Sequence, residues 1–232
     1  IKFKRKKDYE GVMMIIKSDF KTSLNYVLRD NPVMIKAMIV TSAMNLLLTS
    51  SMLVGLPVMI KAQLGLSSQL YGLAEGGKAA GMIVGGVLIS AIDIKIEIKE
   101  VYKLLLSSAL GLLPIAVVFT INLPVMVVYW IIVVSCFMMM VAVTMFTVTM
   151  MSFVQRETPD ELIGKIISYI LVITQCTLPV GQALYGLLFD IMIGSVDIII
   201  FITSICTCGI AIYSRKIFSK FTKKQVEPGY YI

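Results

Sequence analysis

Six long apolar runs limit what this chain can fold into. They cover residues 34–62, 69–92, 103–121, 124–151, 164–189 and 191–214. Each run approaches or exceeds the ~20 residues that a helix needs to cross the hydrocarbon core of a bilayer. Because 58% of the residues are hydrophobic and only 15% are charged, a soluble domain could not hide this much apolar surface. The sequence therefore predicts an all-α integral membrane protein with six transmembrane helices.

The basic residues give the expected orientation. All but two of the 21 gather around the start of the first run, the second and fourth connections, and the end of the sixth run. The exceptions are Lys61 and Lys78. Since positive charge stays on the cytoplasmic side, we expect both termini to be cytoplasmic. The net charge of +7 then faces anionic lipid, and no nucleic-acid partner is predicted.

The two ends of the chain flank the predicted membrane unit, 34–214. Residues 1–33 combine a basic segment with a predicted amphipathic helix over 13–31, in which Ile16, Phe20 and Leu24 recur at helical spacing. We expect this helix to lie on the inner membrane surface, although a solvated linker would also fit the pattern. Residues 215–232 are expected to form a cytoplasmic tail. Because the chain begins with Ile1 rather than methionine, we expect it to be a fragment or a processed piece.

The second run carries two opposite charges, Glu75 and Lys78. Ionisable groups in hydrocarbon are costly, so their presence points to a function. Three residues apart on a helix, they are close enough to form an ion pair. The run also holds glycines near four-residue spacing, which allows two membrane helices to approach closely, and these are candidate packing or gating residues: Gly76, Gly77, Gly81 and Gly85.

Polar side chains also follow one face of two other runs. In the first run, Thr41, Asn45 and Thr49 are four residues apart, so this face should contact protein or water. Helix-to-helix contact and the lining of a cavity both fit that stripe. In the fifth run, Gln175 and Gln182 share a face, and we expect both to point into the bundle interior. By depth along the helices, Asn45, Lys78 and Gln175 should lie near the membrane midplane.

The second and fifth runs occupy corresponding places in two successive groups of three. Both are interrupted by glycine or proline, as in the short, broken helices of transporters. The sequence therefore predicts a 3+3 inverted repeat, in which the second and fifth helices form a shared surface between the repeats.

Two stretches carry a resemblance to a known family. Residues 153–190 contain the series Gln155, Pro159, Glu161, Gly164 and Lys165, followed by Pro179, Gly181, Gly186 and Asp190. The second run adds Tyr71, Gly72, Glu75, Gly81, Gly85 and Gly86. On these residues, nearly the whole chain resembles bacterial major facilitator superfamily exporters, particularly the macrolide-efflux-type branch. It departs from the family's loop signature after the second run, where Ser90 stands in the place of an aspartate and Asp93 and Lys95 are displaced.

The resemblance implies a twelve-helix transporter of the cell membrane, with a substrate cavity between two six-helix halves and alternating access driven by proton influx. This chain would be the C-terminal half, and its partners would be an N-terminal six-helix half, the lipid bilayer and an amphipathic small molecule such as a drug. No cofactor is implied beyond the proton gradient. Gating or packing roles would extend to Pro179, Gly181, Gly186 and Asp190.

Several alternatives stay open at this point. Glu75 is the best candidate for a proton-carrying carboxylate, but Glu75 and Lys78 could instead form a structural ion pair, or Lys78 could extend outward to the membrane surface. A six-span permease subunit of an ATP-driven transporter, or an inactive truncated remnant, would share the same apolar pattern. We do not expect an enzyme or a metal site, since the chain has no histidine and no nucleophile motif of the hydrolase type.

Overall fold

A computed structural model describes residues 32–91, 97–160, 162–192 and 194–226. The predicted surface helix over 13–31 lies outside the described residues, as do Asp93, Lys95 and Glu161. Within the described part, the chain is all-helical, as predicted. Six of its helices are long and apolar enough to cross a membrane, which makes this a multi-pass membrane protein.

The six helices follow the six predicted runs. Helix α1 passes through Pro32–Met44, a π-helical turn at Asn45–Thr49, Ser50–Pro57 and a second π-helical turn at Val58–Gln63. The others are α2 (Ser68–Ala91), α3 (Val101–Val118, after a 3₁₀ turn at Ile98–Glu100), α4 (Val125–Glu157), α5 (Ile163–Ile191) and α6 (Val196–Val226). Helix α4 continues past the predicted end at Met151 and ends at Glu157, beyond the apolar run.

Both irregular turns of α1 have a local cause. The first follows Met44, and the Ser50 hydroxyl donates to the Asn45 carbonyl at 2.9 Å, which satisfies a carbonyl at the disturbed turn. The second begins directly after Pro57, whose missing N–H removes one rung of the helical hydrogen-bond ladder. The first helix is therefore irregular at its middle and at its C-terminal end.

The helices pack in defined pairs. Helix α1 lies along α5, and α2 lies along α4, while α3 packs against both α4 and α6. The large fully buried side chains between them include Tyr129, Phe146, Phe218, Met52 and Leu56. Burial is uneven: only 22% of the most apolar stretch of α2 and 17% of that of α5 is buried, against 39–50% for the other four helices. Helices α2 and α5 therefore present broad unpartnered faces.

The prediction that the second and fifth helices form a shared surface was wrong. Among the described residues, α2 and α5 share no extended contact. Each instead packs along the first helix of the other group of three, α2 along α4 and α5 along α1. The physical reason is the placement of small residues: the glycines of α2 meet the backbone of α4, and Gly181 of α5 meets the backbone of α1.

Candidate functional site

The two charges of α2 form an ion pair within one helical turn. Lys78 Nζ lies 3.0 Å from Glu75 Oε1. The Lys78 side chain is only 9% exposed, whereas that of Glu75 is 37% exposed. Lys78 therefore does not extend outward, and the exposed member of the pair is the carboxylate.

Two further residues complete this cluster. The Tyr71 hydroxyl donates to the same Glu75 oxygen, Oε1, at 3.3 Å. The Lys61 ammonium, at the end of α1, lies 5.2 Å from the centroid of the Tyr71 ring, which is within cation–π distance. Among the described residues, both donors to the carboxylate reach Oε1, and none is described at Oε2.

Sequence reasoning did not give Tyr71 and Lys61 a place in the site. For Tyr71 a signal was available, because it precedes Glu75 by one helical turn. Lys61 belongs to a different helix, and no sequence pattern brings the end of α1 to this ring.

The glycines of α2 divide into two sets. A Cβ atom added at Gly77, Gly81 or Gly85 would meet α4, at 3.2 Å from Val133 Cγ1, 2.5 Å from the Phe137 oxygen and 2.6 Å from the Val141 oxygen respectively. Gly81 and Gly85 leave no room for any side chain, so the two helix backbones touch there. Gly76 has no described atom within 4 Å of an added Cβ, and so it has no packing role among these residues.

A second polar cluster joins α1 to α5. Asn45 Nδ2 donates to the Thr174 carbonyl at 3.1 Å, and the Thr49 hydroxyl lies 3.5 Å from Asn45 Oδ1. The Ser50 hydroxyl also reaches the Leu178 carbonyl, at 3.2 Å. Sequence reasoning missed Ser50, because only the π-helical turn brings its side chain to this interface. Thr41, one turn before Asn45, is half-buried.

Gly181 sets the distance between α1 and α5. A Cβ added there would lie 2.3 Å from Ser50 Oγ and 2.6 Å from the Leu46 oxygen. Gly186, the next glycine along α5, has no described atom within 4 Å of an added Cβ. Gly181 is therefore a packing residue within this unit, whereas Gly186 is not.

The two glutamines of α5 do not point into the six-helix bundle, and that prediction was wrong. Gln175 and Gln182 are both exposed, because α5 turns the adjacent side, with Thr174, Gly181 and Tyr185, towards the bundle. Pro179 is exposed on the same face as the glutamines, and Asp190 is exposed at the end of the helix.

The predicted site residues thus fall into separate groups. One group is the ion-paired cluster on α2, and another is the hydrogen-bonded contact between Asn45, Thr49 and α5. The exposed face of α5 is the third. Within the described residues, we find no hydrogen bond or ion pair that joins one group to another, and no cluster of potential metal ligands occurs.

The comparisons with known proteins give one match. The family model of the transmembrane secretion effectors, a major facilitator (MFS) family, matches residues 5–227. No curated protein and no solved structure matched the chain. With a match over most of its length and six membrane-capable helices, this chain belongs to the transmembrane secretion effector family of major facilitator-type membrane transporters.

Proposed function

We propose that this chain is the C-terminal half of a secondary active transporter, a proton-coupled exporter of drugs or other amphipathic small molecules that works by alternating access. In this proposal the protein lies in the cell membrane with both termini in the cytoplasm, as the placement of its basic residues favours. An N-terminal six-helix half supplies the opposite wall of the cavity.

The observation that carries the proposal is the polar character of faces that the six helices leave uncovered. On α5, the face with Ser168, Gln175 and Gln182 is exposed. Amide side chains in hydrocarbon lack hydrogen-bond partners, which costs free energy, so this face is better suited to protein or water than to lipid. The exposed side of the same helix that lies nearly opposite the glutamines is apolar and suits lipid: Ile173, Val180, Leu184, Leu187 and Ile191.

Helix α2 supports the same arrangement. Glu75 lies beside an exposed strip of small residues that includes Gly72, Ala79 and the half-buried Gly86. Neither of these glycines has a described atom within 4 Å of an added Cβ, so packing within this unit does not account for them. A helix from a second half could approach closely along this strip, with Glu75 at its edge.

The pairing of helices supports a 3+3 repeat. Exchanging the first three helices with the last three turns the pair α1 and α5 into α4 and α2, and leaves α3 and α6 paired with each other. Each of these pairs packs together in this fold. A unit with this internal symmetry can rock against a second unit around a central site, as alternating access requires.

Glu75 has the position that a proton carrier needs. Its carboxylate is partly exposed, and Oε2 is unoccupied by any described donor, whereas Lys78 holds Oε1. A proton arriving at Oε2 would neutralise the carboxylate and weaken its contact with Lys78. That change in charge balance inside the membrane would favour one orientation of the transporter over the other.

Retention of a fluorescent amphipathic cation by cells tests the proposal. The cells express the full natural coding sequence that contains this chain, in a host lacking its own drug exporters. We expect lower dye retention, restored to the level of the empty vector by an uncoupler that collapses the proton gradient. Export that continues under the uncoupler but stops on ATP depletion would instead favour a permease subunit driven by an ATPase.

A further inference from the structure

A shallow, open apolar groove lies on the outer surface of the bundle, along α4 and beside Pro114 of α3. Its volume is about 580 Å³. Pro114 contributes one wall, and Met126, Trp130 and Val134 contribute the other, with Ser135 as the only polar residue of the lining. Helices α3 and α4 are in contact next to Ser135, where an added Cβ at Gly111 would lie 3.8 Å from the Ser135 oxygen. From that level the groove follows α4 back towards its first turn.

The length of the groove along the α4 axis is close to the thickness of one membrane leaflet. The lining residues of α4 extend from Met126 to Ser135, which is roughly 14 Å of helix axis at 1.5 Å per residue. Half of a hydrocarbon core of ~30 Å is about 15 Å. Since Met126 lies next to the start of α4, the groove begins at one end of this helix and extends inward along it over about half the thickness of the hydrocarbon core.

One wall of the groove is held in place from behind. Tyr129 is fully buried, and its hydroxyl donates to the Leu70 carbonyl at the start of α2, at 2.9 Å. The Trp130 ring packs edge to face on Tyr129, with centroids 5.3 Å apart. Trp130 itself is 53% exposed. The wall is therefore a fixed aromatic surface open to the bilayer, near the level where tryptophan commonly meets the membrane interface.

We propose that this groove binds an acyl chain of a membrane lipid. The lipid would belong to the leaflet on the same side of the membrane as the α3–α4 connection. If the groove were empty in the membrane, its apolar lining would lose dispersion contacts. An acyl chain is flexible and wholly apolar, and the bilayer supplies it directly at the mouth of the groove. The proposal depends on insertion into a membrane and is independent of the proposed transport activity.

The single tryptophan of the chain reports on the groove, because Trp130 lies in its wall. The chain is reconstituted in phosphatidylcholine nanodiscs that contain a rising fraction of lipid brominated on its acyl chains, since bromine quenches tryptophan fluorescence on contact. We expect a saturable phase of quenching, half complete at a brominated fraction several-fold below that needed for general lipid contact.

Two exposed valines of α4 provide a matched pair of variants. Val134→Phe fills the groove and should remove the saturable phase, whereas Val148→Phe, outside the groove lining, should retain it. Quenching that rises only in proportion to the brominated fraction in the unmodified chain would overturn the proposal. Equal behaviour of the two variants would do the same. If brominated lipid does not quench the Trp130 fluorescence at all, protein covers the groove instead, for example a second copy of the chain, and the proposal is overturned.

Discussion

Lys78 is buried against its own bundle, while the carboxylate of Glu75 that it binds at 3.0 Å is more than one-third exposed. Removing one partner of this ion pair should therefore affect stability differently from removing the other. Removal of Glu75 leaves a buried ammonium without its counter-ion, whereas removal of Lys78 leaves a carboxylate that is partly exposed on the surface of the bundle.

This asymmetry predicts unequal stability losses. Glu75→Ala should destabilise the chain more than Lys78→Met, because breaking a buried pair from the exposed side leaves the unpaired charge inside. The double variant should recover part of the loss of Glu75→Ala, since no buried charge remains. Thermal unfolding in detergent measures all three variants. An equal loss for both single variants would contradict the different burial of the two groups.

Gly81 sets the contact between α2 and α4. An added Cβ would lie 2.5 Å from the Phe137 oxygen, so Gly81→Ala must push the two backbones apart. We expect a loss of about 1–3 kcal/mol in unfolding free energy, the usual effect of overpacking. The control is Gly76→Ala, five residues away, with open space at the added Cβ. Because alanine favours helix over glycine, this control should be neutral or stabilising.

Gly181 has the same role between α1 and α5, where an added Cβ would lie 2.3 Å from Ser50 Oγ. Gly181→Ala should lower the thermal midpoint and disturb the hydrogen bonds of Ser50 and Asn45 to α5. Gly186→Ala is the matched control on the same helix, since nothing described lies near its added Cβ. A Gly186→Ala variant that is more damaging than Gly181→Ala in the isolated chain would contradict the close packing of α1 on α5 at Gly181.

The exposed surface of α5 should divide into a wet side and a lipid side. In a background without native cysteines, Gln175→Cys and Gln182→Cys should react with a water-soluble thiol reagent, because their face is proposed to line a cavity or a protein interface. Val180→Cys and Leu184→Cys, on the apolar side, should react much more slowly, since a thiolate does not form in hydrocarbon. Equal reactivity of the two pairs would remove the argument for a cavity at this face.

Much of the fold was predictable, because membrane-spanning helices can be recognised in a sequence by their length and hydrophobicity. The ion pair was predictable as well, since Glu75 and Lys78 are one turn apart on the same helix. Which of two neighbouring glycines packs against α4 could not be predicted. Whether Gly76 or Gly77 meets α4 depends on the rotation of α2 about its axis.

The orientation of Gln175 and Gln182 was mispredicted for a related reason. Helical spacing shows which residues share a face, but it does not show which neighbour, if any, covers that face. The π-helical turn at Asn45–Thr49 shifts the register of the α1 side chains, and it brings Ser50 to α5 although no pattern in the sequence marks it.

The most direct test of the proposed mechanism is proton-driven export by a Glu75→Gln variant. Glutamine keeps the shape of the side chain and can still accept a hydrogen bond from Lys78, so the full natural protein should be expressed and inserted normally. In inside-out vesicles with an imposed proton gradient, the unmodified protein should accumulate an amphipathic cation, and the variant should lose gradient-driven accumulation. Undiminished proton-driven transport by Glu75→Gln would contradict the account, because Glu75 could then not be the proton carrier.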